Sequence, residues 1–302
     1  MTDESTHSAL PGLPSPPPPG TRALPPGTYD GTVVLVTGGG SGLGKAISAE
    51  FARLGAELVI VGRTQERLKA AREELAALGG QVVTAVCDIR QPEQIGEAFD
   101  EAERTVGLPT VLVNNAAANF PSPAEDLSPN AWRVVVDITL TGTWFMTREF
   151  GRRHLAAGTP GSVINVGASY AWTGGPGHAH SAAAKAGVRN LVETLAVEWG
   201  PYGIQVNGLI PGLFPHPDLP DAIRAGLDTA EASGELAARQ PALRVGQPHE
   251  LGWAATFLAS PYARFISSHT LVVDGANWQR RTVVAAPMRT VREQLDRGPF
   301  EA

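Results

Sequence analysis

Apolar residues along this chain fall into two alternating kinds of run. Short, largely β-branched runs recur at 32–36, 58–61, 82–87, 111–113, 162–166, 205–209 and 270–273. They read as strands of a buried parallel sheet, which needs no strict polar alternation. Longer stretches between them read as helices, at 65–78, 92–106, 131–155, 178–199 and 249–258. Another opens at a glycine-rich turn, carries Ile47, Phe51 and Leu54 on one face, and stops at Gly55. Strands alternating with helices over 28–280 predict one α/β domain. A loop-and-helix insertion occupies 213–241, an arm precedes the domain at 1–27, and a tail follows at 281–302. No internal repeat is present.

Composition narrows the picture. A chain of 302 residues, 43% hydrophobic and with a formal charge of −6, can bury one large core. The mild acidity and the lack of a Lys/Arg cluster argue against a nucleic-acid partner. Cys87 is the single cysteine, which excludes an intrachain disulfide and reads as a small buried hydrophobe. No apolar run approaches the ~18 residues that span a bilayer. The arm has little positive charge and no apolar core, so it is neither a signal nor a transit peptide. A cytoplasmic protein is the expectation. Pro16 to Pro19 favour an extended polyproline arm, with a disordered tail as the competing reading.

The first candidate chemistry is the turn Thr37-Gly38-Gly39-Gly40-Ser41-Gly42-Leu43-Gly44. Strand, glycine turn, helix, strand is the context in which such glycines bring backbone to a pyrophosphate. The helix start adds N–H donors and positive potential. An acid after the second strand would favour a free ribose 2′-hydroxyl. Gly62-Arg63-Thr64 stands there instead. Arg63, aided by Ser41 or Lys45, can pair with a 2′-phosphate, so NADPH is expected over NADH. The competing reading makes Arg63 a solvated helix-start residue. Asp88, with Ile89 after it, ends the third strand, where a carboxylate could accept from the adenine amino group or cap the next helix. Asn114 and Asn115 end the fourth strand and read as mainly structural.

The second is the segment 169–185, a Gly/Pro-rich loop running into an Ala-rich helix. It brings a phenol, Tyr170, and an ammonium, Lys185, to where both can face one cavity. His178 and His180 lack a Cys/His/Asp cluster at metal spacing, so no metal site is expected and His180 reads as a helix-start residue near the pocket. Arg239 and Arg244 could reach substrate phosphates or simply be solvated.

Taken together, 37–44, Asp88, Asn114-Asn115-Ala116, Lys185, Asn207, Pro211-Gly212 and Asp274-Gly275 resemble the short-chain dehydrogenase/reductase family over about residues 28–280. The resemblance implies a single Rossmann domain, a doubly wound seven-stranded parallel sheet with helices on both faces, and a homotetramer. Its usual ketone-reducing members use Asn, Ser, Tyr and Lys, the last two four residues apart. Here the corresponding positions hold Thr139, Ala168 and Ser181, and Lys185 alone survives. A serine hydroxyl is far too weak an acid to replace an activated phenol.

This pattern of loss resembles the mitochondrial-type 2,4-dienoyl-CoA reductase branch. Asn119-Phe120, Leu127 to Trp132, Leu24-Pro25-Pro26, Tyr170 fifteen residues before Lys185, and Ser181 four before it carry the likeness. The branch implies that Tyr170 and Asn119 hold the thioester oxygen. Lys185 would grip the nicotinamide ribose and ease ionisation of Tyr170, and Ser181 would position Lys185, cofactor or a relay water. Asn115 and Ala116 would line the adenosine ribose. Pro211, Gly212 and the backbone of Leu213 would meet the carboxamide, and Phe120 and Phe214 would touch substrate. The expected substrate is a small acyl-CoA or acyl-carrier thioester, and the expected product a 3-enoyl-CoA of unsaturated fatty acid breakdown. Two alternatives stand beside it: an enoyl- or 3-ketoacyl-thioester reductase of another pathway, and a non-catalytic NADP-binding protein.

Overall fold

The computed structural model describes residues 10–218, 230–280 and 290–297. Seven parallel strands form one sheet: β1 (Val33–Thr37), β2 (Glu57–Gly62), β3 (Val82–Val86), β4 (Val111–Asn114), β5 (Gly161–Val166), β6 (Ile204–Pro211) and β7 (Thr270–Val273). Their order is β3-β2-β1-β4-β5-β6-β7. The order reverses direction between β1 and β4, which pair in register from Val34 with Val111 to Thr37 with Asn114. A crevice opens at such a point, outside the carboxyl ends of the strands.

Alternate residues of each strand feed two cores. Val34, Val36, Leu58 and Ile60 face helices α1 (Gly42–Arg53) and α2 (Gln65–Ala76), joined through Phe51, Leu68, Leu251 and Leu258. Val33, Leu35, Val59 and Val61 face the other way, onto Phe99, Met146, Phe150 and Trp199. Those residues come from α3 (Pro92–Thr105), α5 (Gly142–Ala157) and α7 (Ala179–Trp199). With both faces covered, the continuous apolar runs are explained.

The helix expected at 131–155 starts at Pro129 and is interrupted. After α4 (Pro129–Val136), a π-helical turn at Asp137–Thr141 leads into α5. Such turns add a residue to the helix and recur at functional sites. The loop expected at 173–177 is shorter, because Tyr170–Thr173 forms a helical turn, α6, before it. In the insertion, α8 (Ala230–Ala238) is helical, and 219–229 lie outside the described residues. Helix α9 is Pro248–Ala259 and the tail contains the short α10 (Val291–Gln294).

The proline-rich arm is docked from residue 10 onward. Leu13 donates its N–H to Ala242 O, His249 Nε2 lies 3.1 Å from Pro17 O, and Trp253 Nε1 donates to Thr21 O.

Candidate active site

A cleft of about 440 Å³ lies at the carboxyl ends of β1, β2 and β4. Gly38, Gly40, Ser41, Gly42, Leu43, Arg63, Asp88, Ile89, Asn115 and Ala116 line it, all sequence-expected cofactor contacts. Gly44 sits behind this wall, where a Cβ would stand 2.3 Å from Gly38 O. Gly38 and Gly42 take positive φ angles of 66° and 52°, so the turn belongs to glycine. Asn115 is tied to β1, its Nδ2 donating to Thr37 O and its N–H to Thr37 Oγ1. Asn114 Nδ2 donates to Thr147 Oγ1 and Asn165 Oδ1, each at 2.8 Å, a structural lock between β4, α5 and β5.

Several expectations change here. Lys45 does not assist Arg63, because its Nζ pairs with Glu74 at 2.9 Å. Arg67 lines the cleft in its place, one helical turn after Arg63. No described ion pair engages either arginine. Asp88 is held by Arg90 through both carboxylate oxygens. Those hydrogen bonds keep its carboxyl below the usual carboxylate range. Its acceptor capacity is therefore spent within its own turn, and it does not cap α3, whose N-cap is Gln91.

The other changes are around β6. Pro211, Gly212 and Leu213 lie beyond the glycine-turn part of the cleft; Gly212 N–H donates to Val273 O and Leu213 O accepts from Gly246 N–H at 2.9 Å. Phe214 is 5% exposed and packs into the core with its ring against Gly246, so it is not a substrate contact. Arg244 forks onto both Glu250 oxygens at 2.8 Å, and Arg239 pairs with Glu235.

At the reaction end, α6 starts immediately beyond β5 and lifts Tyr170 over the start of α7. Ser181 and Lys185, four apart on α7, share a helix face. Tyr170 Oη lies 2.9 Å from Ser181 Oγ, and Asn119 Nδ2 donates to Tyr170 Oη at 3.4 Å. Three groups from separate loops and helices thus meet at one point. His178 stacks on the Tyr170 ring, centroids 6.0 Å apart, and Gly175 lets the loop pass close to it. Burial raises the Tyr170 hydroxyl above its ordinary value, and the Ser181 bond partly opposes this.

Lys185 is buried and donates to Val166 O. Burial lowers its pKa to about 8. The Tyr170 hydroxyl bonds Ser181 and Asn119 rather than this ammonium. Phe120 is half-exposed and meets His180 edge-on at 4.6 Å. His180 is fully buried and accepts the Ser181 N–H at Nδ1, and burial lowers its pKa.

Thr139 contributes more than a lost asparagine. It is fully buried in the π turn, and its hydroxyl bonds both the N–H and the O of Ala118. Ala118 precedes Asn119, so this hydroxyl anchors the loop that presents the carboxamide. The spacing of the helix hid it, because the π turn is invisible in a periodicity.

The close glycine approach and two cleft-lining guanidinium groups outside any described ion pair suit a nicotinamide dinucleotide. A family model described as enoyl-(acyl carrier protein) reductase matches residues 38–276. The chain belongs to the short-chain dehydrogenase/reductase family, and is an oxidoreductase. A Bacillus subtilis protein named probable 2,4-dienoyl-CoA reductase [(2E)-enoyl-CoA-producing] is 38% identical over 81% of this chain and 96% of its own. A Caenorhabditis elegans protein named probable 2,4-dienoyl-CoA reductase 3 [(3E)-enoyl-CoA-producing] is 38% identical over 82% of this chain and 81% of its own. A gluconate 5-dehydrogenase from Burkholderia cenocepacia, solved in complex with NADP and tartrate, is 34% identical, with TM-score 0.76, over 84% of this chain and 98% of that one.

Proposed function

We propose that this protein reduces 2,4-dienoyl-CoA thioesters with NADPH, within unsaturated fatty acid breakdown. The observation that carries the reading is the meeting of Tyr170, Asn119 and Ser181 at one point, with no tyrosine at the position four before Lys185. The names of the two relatives support it.

When bound, the nicotinamide supplies a hydride to the δ-carbon of the conjugated thioester. Tyr170 O–H and Asn119 Nδ2 then meet the negative charge that the diene delivers to the thioester oxygen, acting as an oxyanion hole. Ser181 O–H donates to Tyr170 Oη and so turns the phenol proton outward, toward that oxygen. Lys185 would hold the nicotinamide ribose hydroxyls. Arg63 and Arg67 would hold the 2′-phosphate, each able to donate in a planar fork. Tyr170, directly or through a water, returns a proton to the α-carbon, which gives a 3-enoyl thioester. Protonation at the γ-carbon instead would give the 2-enoyl isomer named for the Bacillus relative.

Incubation with NADPH and hexa-2,4-dienoyl-CoA tests the reading through loss of dienoyl absorbance. No loss at saturating protein overturns it. Turnover of 2-enoyl or 3-ketoacyl thioesters instead would favour the reductase of another pathway.

A further inference from the structure

Helix α1 begins at Gly42, whose N–H belongs to the group at a helix start that has no partner within the helix. That end carries partial positive charge and gathers anions. The local cap does not satisfy it, since Ser41 makes no side-chain cap bond. Asp218 does so from the loop after β6, its Oδ2 accepting the Gly42 N–H at 2.7 Å. His216, from the same loop, packs on the same glycine, so that a Cβ at Gly42 would come within 2.9 Å of the imidazole Cε1. The imidazole Nδ1 is buried there without a partner. Asp218 and His216 both line the cleft.

The geometry points to Asp218 as an affinity-determining residue: its carboxylate holds the place of a cofactor phosphate on Gly42 and must leave before the dinucleotide seats. This rests on the reading that the dinucleotide binds in the glycine turn, and not on which dinucleotide it is. The exclusion is geometric and electrostatic. One N–H serves one acceptor well, and two anions on one helix end repel each other. Cofactor binding therefore includes the cost of breaking the Gly42–Asp218 bond, and His216 is left beside the phosphate with a ring nitrogen that lacks a partner.

Titration of the full chain with NADPH, NADH and 2′-AMP, followed by fluorescence or calorimetry, tests this. Asp218→Asn removes the charge and Asp218→Ala also removes the acceptor. Both variants are expected to bind NADPH and NADH about three- to tenfold more tightly than the parent chain, in line with the worth of a carboxylate at a helix start. 2′-AMP carries no pyrophosphate, and its affinity is expected to stay unchanged. Equal or weaker binding of both dinucleotides by both variants overturns the proposal. So does an equal gain for 2′-AMP, which would mark a general charge effect. Should NADH bind the parent chain as well as NADPH, the cofactor preference proposed above fails while the effect of Asp218 stands.

Discussion

Tyr170 and Ser181 are joined hydroxyl to hydroxyl at 2.9 Å, although they stand eleven positions apart with a glycine-rich loop between them. That contact aims the phenol. Tyr170→Phe removes one oxyanion donor and is expected to lower kcat on a dienoyl thioester by about 10²–10³. NADPH affinity should be unchanged, because the phenol is not part of the glycine-turn cleft. Steady-state kinetics with parallel cofactor titration check both halves.

Ser181→Ala leaves the phenol in place but removes the bond that opposes its rise in pKa. The Tyr170 ionisation should move further up, visible as a difference between variant and parent in phenolate absorbance at alkaline pH. The rate should fall less than in Tyr170→Phe, by about tenfold, the worth of one hydrogen bond of about 1.4 kcal/mol.

Arg63 and Arg67 face the cleft without described ion-pair partners. Replacing both by Gln should weaken NADPH at least tenfold while leaving NADH nearly unaffected, since a charge-assisted bond to phosphate contributes about 1.5–3 kcal/mol. A matching loss for NADH would refute a 2′-phosphate role.

Thr139→Val keeps the shape of the side chain and deletes its hydroxyl. Ala118 N–H and O both lose their partner in a buried place. A cost of about 1–3 kcal/mol in stability is expected from urea unfolding. A fall in kcat should accompany it, because Asn119 is the next residue.

Lys185 gives a pH signature. Its pKa falls from 10.5 to about 8 through burial. Between those values the unfolded chain holds more protons than the folded one, so this residue makes stability rise with pH across that window. Below pH 8 its destabilising effect is fully present, up to about 3 kcal/mol. Lys185→Met should therefore exceed the parent in urea midpoint by more at pH 7 than at pH 9.5, while losing activity. Equal differences at the two pH values would contradict the assignment.

Much of the fold was legible because the sheet is buried on both faces, and burial writes itself into sequence as apolar runs. The glycine turn was legible for a similar reason: Gly38 and Gly44 must approach each other, and only glycine permits it. Residues that act across the chain were not. Phe214 looked like a pocket residue from its place after Pro211-Gly212, yet Gly246, thirty-two positions on, leaves the space that takes its ring. Lys45 was drawn to Glu74 and Asp88 to Arg90, partners that local pattern does not rank. Arg67 and Asp218 lay outside any motif, and their place in the cleft depends on how α2 and the loop after β6 fold back. The docking of the arm on α9 depends on backbone carbonyls, which composition does not reveal.

The hydroxyl contact also constrains how this catalyst could change. Position 181 is almost wholly enclosed, and the tip of Tyr170 already fills the space beside it. A tyrosine introduced at 181 alone would bring a second ring into an occupied volume and push the first one out. A change to tyrosine at 181 is therefore tied to a change at 170: the two positions must be exchanged together.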